Sequence, residues 1–277
     1  MSLVVVRIGV LAVLLAVLAP GASFAQSACS APSPDCVVVG EWDLSVSLGI
    51  GERSNPIAQG SDIPLVVIPQ LSYYGKRFFI DNLELGYTLL ERGTHTLNVI
   101  ATPGYDRVFF VRQDLQNFFI TGAGGTVNAP TPELTRAVER PRHTTYLVGP
   151  EWLFDVGRVT GQVSTLYEAT GRHKGYEVRA AFATPLVQST SSLVLSAGLT
   201  WKSSQLVDYY YGVDQFYRAG HALNPFVKLG FSRPLSERWS LNAFVHYEHL
   251  GDAIADSPIV VDGSVTTAFV GVIFKVF

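Results

Sequence analysis

The side chains in this sequence that could do chemistry are few: six histidines, two cysteines and a scatter of carboxylates. His246-Tyr247-Glu248-His249 is the one constellation with a metal-like composition. On a helix, His-x-x-His would turn both imidazoles toward one ion. The flanking residues alternate apolar and polar, however, and on a strand positions 246 and 249 point to opposite faces. His246 and Glu248 then share the polar face. Ser240, Asn242 and His246 lie on that face too, the residue types of a hydrolase. Same-face neighbours on one strand sit about 7 Å apart, so a nucleophile and its base would have to come from different strands. No Gly-x-Ser-x-Gly elbow is present to present a serine nucleophile. Asp252, Asp256, Ser257 and Pro258 form an acidic loop motif, but two carboxylates fall short of the six to eight oxygens calcium takes. These residues suit a turn in which Asp252, Asp256 and Ser257 bond their own backbone. No cofactor pattern is present, and no enzymatic activity is expected.

Cys29 and Cys36 lie close together in CSAPSPDC. Without a histidine beside them they do not make a zinc site, and in an oxidising compartment they are candidates for a disulfide. The compartment is indicated by the first 25 residues. Arg7 precedes the apolar run IGVLAVLLAVLA (8–19), followed by Pro20-Gly21 and the small-x-small signal Ser23-Phe24-Ala25. The run is well short of the roughly 20 residues that span a bilayer as a helix. Residues 1–25 therefore read as a removed secretory leader, with 26–40 as an N-terminal segment on the periplasmic side.

The elements that must position everything else are strands. The chain is 277 residues long, 48% hydrophobic and 16% charged, with a formal net charge of −3. That balance gives no basic footprint for nucleic acid. After the leader, period-two alternation recurs. In EWDLSVSLGI, Trp42, Leu44, Val46, Leu48 and Ile50 oppose Glu41, Asp43, Ser45, Ser47 and Gly49; SLVLSAGLTWK and RWSLNAFVHYEHL repeat the pattern. The segments 41–50, 63–74, 77–90, 94–104, 143–155, 158–169, 175–187, 192–203, 205–213, 223–233, 237–249 and 264–277 read as about twelve strands, long enough to cross a membrane when tilted. Aromatics such as Trp42, Tyr87, Trp152, Trp201 and Trp239 sit near strand ends, as interfacial girdles require. A lumen enclosed by about twelve strands is too wide for the apolar face to fill, so that face meets lipid, and the sheet must close because hydrocarbon leaves no partner for an open edge. The expected fold is an all-β, transmembrane, antiparallel up-and-down β-barrel of about twelve strands over 26–277.

On this reading the polar face, with Glu41, Asp43, Gln162, Arg179, His246 and Glu248, turns to the lumen. An even strand count puts both termini in the periplasm. Counting along the strands puts loops 51–62, 214–222 and 250–263 outside, and places 170–174 and the long segment 105–142 on the periplasmic side. That long segment reads either as a plug or partner-docking loop or as two further strands. The final TTAFVGVIFKVF alternates up to a terminal aromatic, so Phe269, Ile273 and Phe277 are expected to form the signal that barrel-assembly machinery recognises.

Several stretches carry a family resemblance. They are Leu48-Gly-Ile-Gly51 leading to Pro56, Pro69 to Tyr74 followed by Arg77-Phe78-Phe79, Leu85-Gly86-Tyr87, Asp208-Tyr-Tyr-Tyr-Gly-Val213, and the stretch from Leu250 to Val260 before the last strand. Together they resemble the MipA/OmpV family (MltA-interacting protein). The resemblance implies a Gram-negative outer-membrane barrel in contact with lipid. It implies a non-enzymatic scaffold whose partners are a lytic murein transglycosylase and a penicillin-binding synthase. Other members of the family are described as surface antigens or adhesins. The polar lumen face leaves a small-solute channel as an alternative, and a surface adhesin or antigen acting through the outer loops is the other.

Overall fold

A computed structural model describes residues 39–110 and 132–276. The leader, both cysteines, residues 111–131 and Phe277 lie outside the described residues, so the expectations that fall on them are not addressed by it. Within that range the chain forms a closed antiparallel barrel of twelve strands, with β1 hydrogen-bonded to β12. The strands are β1 (Trp42–Arg53), β2 (Ile63–Tyr74), β3 (Phe78–Asp81), β4 (Glu84–Arg92), β5 (His95–Pro103), β6 (Tyr146–Val156), β7 (Val159–Glu168), β8 (Tyr176–Gln188), β9 (Ser192–Lys202), β10 (Ala222–Pro234), β11 (Trp239–His249) and β12 (Ser264–Lys275). Between them lie a 3-10 helix (Tyr105–Phe109), α1 (Pro132–Glu139), α2 (Ser204–Tyr211) and α3 (Asp252–Ala255).

The expected number of strands is present, but two of them are divided differently. Segment 77–90 is two strands, because Asp81-Asn82 is turn chemistry and Asn82 adopts the left-handed conformation (φ 54°) that asparagine tolerates. Segment 205–213 is the helix α2. Its buried residues are Leu206, Val207, Tyr210 and Tyr211, a spacing of one, four and five that only a helix places on one face.

These two changes cancel in the count and invert the direction of every strand between them. Segments 105–142 and 170–174 therefore leave the barrel at the end opposite the termini, alongside the connections after β1, β9 and β11, and not at the terminal end as their position in the sequence suggested. The connections at the terminal end, such as 75–77, 93–94, 157–158, 189–191 and 235–238, are all short.

Alternation is regular enough to assign the faces. Leu48, Ile50, Val245, Tyr247 and Val270 are exposed on the outer wall, whereas Ser45, Ser47, Thr267 and Phe269 are buried inside. Paired aromatics mark the terminal-end girdle, Trp42 with Tyr73 at 4.9 Å and Trp239 with Phe274 at 4.8 Å between ring centroids. The seam between β1 and β12 is close-fitting. Phe269 covers Gly49, Gly51 and Gly271, and a Cβ on Gly271 would run into the backbone of Leu48 and Gly49 and the Phe269 ring. Glycine is required there for close approach of the strands.

The wall is not uniform. β2 pairs with β1 from Ile63 to Tyr73, but β3 meets β2 only over Ser72–Tyr74. Asn82 ends that pairing by exchanging bonds with Leu71: its N–H donates to the Leu71 carbonyl at 2.7 Å, and its Oδ1 accepts from the Leu71 N–H at 3.1 Å. Among the described residues no strand pairs with that edge of β2 over 63–70.

Candidate functional site: a capped lumen

The end opposite the termini is closed by a packed apolar core drawn from several connections. Ile57 comes from the β1–β2 loop, Phe109 from the 3-10 helix, and Leu206, Val207, Tyr210 and Tyr211 from α2. Leu250, Ile254 and Val265 come from the last connection and the start of β12. Each large apolar side chain buried this fully contributes roughly 1.5–3 kcal/mol, so the cap adds materially to the stability of the closed barrel. Backbone bonds tie its parts together, from Ala58 N–H to the Ile259 carbonyl and from Val261 N–H to the Pro56 carbonyl, both at 2.8 Å.

Beneath that core lies a buried ionic contact. Lys202, the last residue of β9, donates from Nζ to both oxygens of Asp106 at 2.7 and 2.8 Å. The Tyr211 hydroxyl donates to Asp106 Oδ1 at 2.7 Å. Burial alone would push the Asp106 carboxyl up; the Lys202 ammonium and the Tyr211 hydroxyl outweigh it and hold the group below the usual carboxylate range. Burial and the same carboxylate push the Tyr211 hydroxyl well above its ordinary value.

Around this contact, Arg142 fixes the long connection. Its Nε donates to the Tyr210 carbonyl at 2.8 Å, and its guanidinium lies 3.9 Å from the Phe110 ring centroid. Burial, followed by the neighbouring Arg140 charge, lowers its pKa to about 10. His173, in the β7–β8 connection, packs against Tyr209 at 5.4 Å, and its Nδ1 accepts the Gly175 N–H at 3.0 Å. Burial lowers its pKa despite the opposing pull of Glu168.

Below the cap the inward face is polar. Glu151 on β6 is 3% exposed and accepts from Asn98 at 2.8 Å and Gln162 at 2.6 Å. Arg179 is ion-paired with Glu177, and Asn224 donates to Glu248 at 2.8 Å. His246 leans on Phe226 at 5.4 Å, on the face shared with Glu248, while His249 is exposed at the strand's end. Asp43 pairs with Lys275 at 2.6 Å across the β1–β12 seam, and Glu41 lies exposed just before β1. Phe269 is buried inward, stacked on Phe244 at 5.8 Å, and Ile273 is half-buried further along the same strand.

In the loop motif, Asp252 opens the short helix α3, and the Asp256 N–H returns to the Asp252 carbonyl at 2.8 Å. Ser257 is buried and donates to the Tyr211 carbonyl at 2.6 Å, so this residue holds two connections together. Pro258 lies between Ser257 and the buried Ile259. Among the described residues no group of three His, Cys, Asp or Glu side chains is placed to hold a metal. Sequence reasoning missed the Asp106–Lys202–Tyr211 contact. The available signal was the helical spacing of Leu206, Val207, Tyr210 and Tyr211, which the β-forming tyrosines disguised.

Comparison with known proteins decides the family: the model of MltA-interacting protein MipA matches residues 44–276. The chain belongs to the MipA/OmpV family. It is 28% identical over 233 residues to outer membrane protein OmpV of Vibrio cholerae, covering 80% of this chain and 81% of that protein. It is 24% identical over 208 residues to outer membrane protein Omp26La of Vibrio anguillarum, with 70% and 80% covered. Among solved structures, a loop L8 deletion mutant of OmpT from Vibrio cholerae superposes with a TM-score of 0.38 at 7% identity, covering 85% of this chain and 99% of that one. This MipA/OmpV protein is an outer-membrane barrel.

Proposed function

We propose that this barrel is a non-enzymatic anchor for a murein transglycosylase, and through it a penicillin-binding synthase, docking at the rim that carries the termini. The capped mouth is the observation that carries the reading. A core held by Asp106, Lys202 and Tyr211 does not favour a standing aqueous pore, so the small-solute channel is the weaker alternative. With the termini in the periplasm, the bulky connections face outward and the short turns face the murein. The family's name, MltA-interacting protein, supports a transglycosylase as the partner. The terminal rim exposes Lys76, Arg77, Arg92, Arg158 and Arg238 beside the acids Glu41, Glu91, Asp155 and Glu237, a mixed-charge surface whose cations can steer and orient a partner.

Capture from crosslinked envelopes tests this. The wild-type barrel should retain both enzymes, and a Lys76→Glu, Arg158→Glu, Arg238→Glu variant should lose them while still reaching the outer membrane. Recovery of neither enzyme with the wild type, or equal recovery with the variant, overturns the proposal. In planar bilayers the wild-type protein should give no steady conductance, and a variant lacking 204–211 should conduct.

A further inference from the structure

Midway along the inner wall stands a lysine without an acceptor. Lys228 on β10 turns inward, because it pairs in register with His246 on β11, which pairs with the inward Thr267 on β12. It is nonetheless exposed. Two residues on, at Gly230, the place a Cβ would take has no atom within 4 Å. Open space therefore lies in front of this part of the wall. Short side chains frame it, with Ser196 opposite Lys228 on β9 and Asn242 opposite Ser232 on β11.

Thr267 in turn pairs with Arg53 on β1, so Lys228, His246, Thr267 and Arg53 form one inward row across four adjacent strands. The row rises from mid-wall to the underside of the cap, where the Arg53 guanidinium lies 5.1 Å from the Phe109 ring centroid. With strands about 4.8 Å apart it spans on the order of 14 Å along the wall, and long side chains on a concave surface converge across it. The charges of Arg53 and Lys228 both act on the His246 imidazole between them.

This row holds donors without acceptors. Lys228 Nζ lies 5.1 Å from the Phe244 ring centroid and forms no ion pair among the described residues. Arg53 forms none there either, and its Nε lacks a hydrogen-bond partner. The carboxylates whose charge reaches Arg53 are Glu248 and Asp106. Asp106 is taken by Lys202 and Tyr211, and Glu248 accepts from Asn224. Setting Lys202, Arg53 and Lys228 against Asp106 and Glu248 leaves one positive charge uncompensated, inside a membrane-spanning wall where an unmatched charge is costly.

A second observation points to a ligand. Thr267, in the middle of the row, is 6% exposed, and its Oγ1 has no hydrogen-bond partner among the described residues. A hydroxyl buried this far normally has one. Beside the donors, Phe226 lies 5.4 Å from the His246 ring and Phe244 lies under Lys228, so an apolar surface adjoins the charge.

We propose that this row binds a small organic anion, a carboxylate or a phosphate monoester, entering from the terminal end of the barrel. The anionic head sits against Lys228, His246 and Arg53, with the Thr267 hydroxyl as a further donor, and the body lies on Phe226 and Phe244. The cap shuts the far end, so the site holds a solute without passing it on. The proposal needs only the barrel and is independent of the murein-enzyme reading.

Fluorine NMR titration of the folded barrel in neutral maltoside micelles at low ionic strength tests it. Three probes share one body: para-fluorobenzoate, para-fluorophenyl phosphate and the uncharged para-fluorobenzamide. At least one anion should bind saturably and roughly tenfold more tightly than the amide, a difference of about 1.4 kcal/mol, and the tighter of the two identifies the head group. Lys228→Gln should remove most of that preference, and Lys228→Arg, which keeps the charge, should retain it. Arg218→Gln, which removes a cation from an exposed connection outside the lumen, should leave it unchanged. Heat-modifiable gel mobility checks that each variant is folded. No saturable binding of either anion, equal binding of the amide, or an unchanged preference in Lys228→Gln each overturns the proposal.

Discussion

At the scale of single residues, the Asp106–Lys202 pair matters because neither charge has water to fall back on. Lys202→Met leaves Asp106 buried and uncompensated, and removal of one member of a buried pair costs roughly 3–5 kcal/mol. The loss should appear as a lower urea midpoint in vesicles, and Asp106→Asn in the same chain should recover much of it. Acid sensitivity has two windows. Asp106 has a depressed folded pKa, so its contribution is intact above its ordinary value of about 3.9 and is lost as pH falls through the lower folded value. His173 is also depressed, so its neutral form stabilises the cap fully above about pH 6.5, and that contribution is lost as pH falls from there through the folded pKa. The protection of amides 204–211, taken relative to their intrinsic exchange rate at each pH, should therefore fall between neutral and mildly acid pH. His173→Phe, which keeps the ring packing on Tyr209 without a titrating nitrogen, should flatten that response.

At the scale of elements, the seam and the hairpins decide whether the sheet closes. Gly271→Val would force β12 away from β1 at Leu48 and Gly49, and the expected result is loss of the heat-resistant compact form on gels. Phe277→Ser should lower the amount of folded barrel in the outer membrane, measured by fractionation, because the assembly signal ends there on the sequence reading. Most strands were legible because each has one greasy and one wet face, as the rows through Trp42 and Trp239 display. The turn at Asn82 and the helix at 204–211 were not. A two-residue turn inside an apolar stretch interrupts alternation too briefly to be seen, and Tyr209-Tyr210-Tyr211 has strand-forming side chains whose burial is set by tertiary contacts in the cap. The buried pair was illegible for a related reason: Asp106 and Lys202 are 96 positions apart, and no local pattern announces a partner at that distance.

At the scale of the whole molecule, a wall that is wet within and greasy without meets a mouth that is closed by protein. The family membership, the closed sheet and the outer-membrane location agree with one another. The cap also has a temporal meaning. Its core takes Ile57 from early in the chain, Phe109 and Tyr211 from the middle, and Ile254 and Val265 from near the end, so contacts of such high sequence separation form late. Complete packing of the cap needs β12 laid against β1. An unfinished barrel would leave the loops of the capped end loose and protease-sensitive, whereas a finished one would resist cleavage, so limited proteolysis of the purified protein should report whether the sheet has closed.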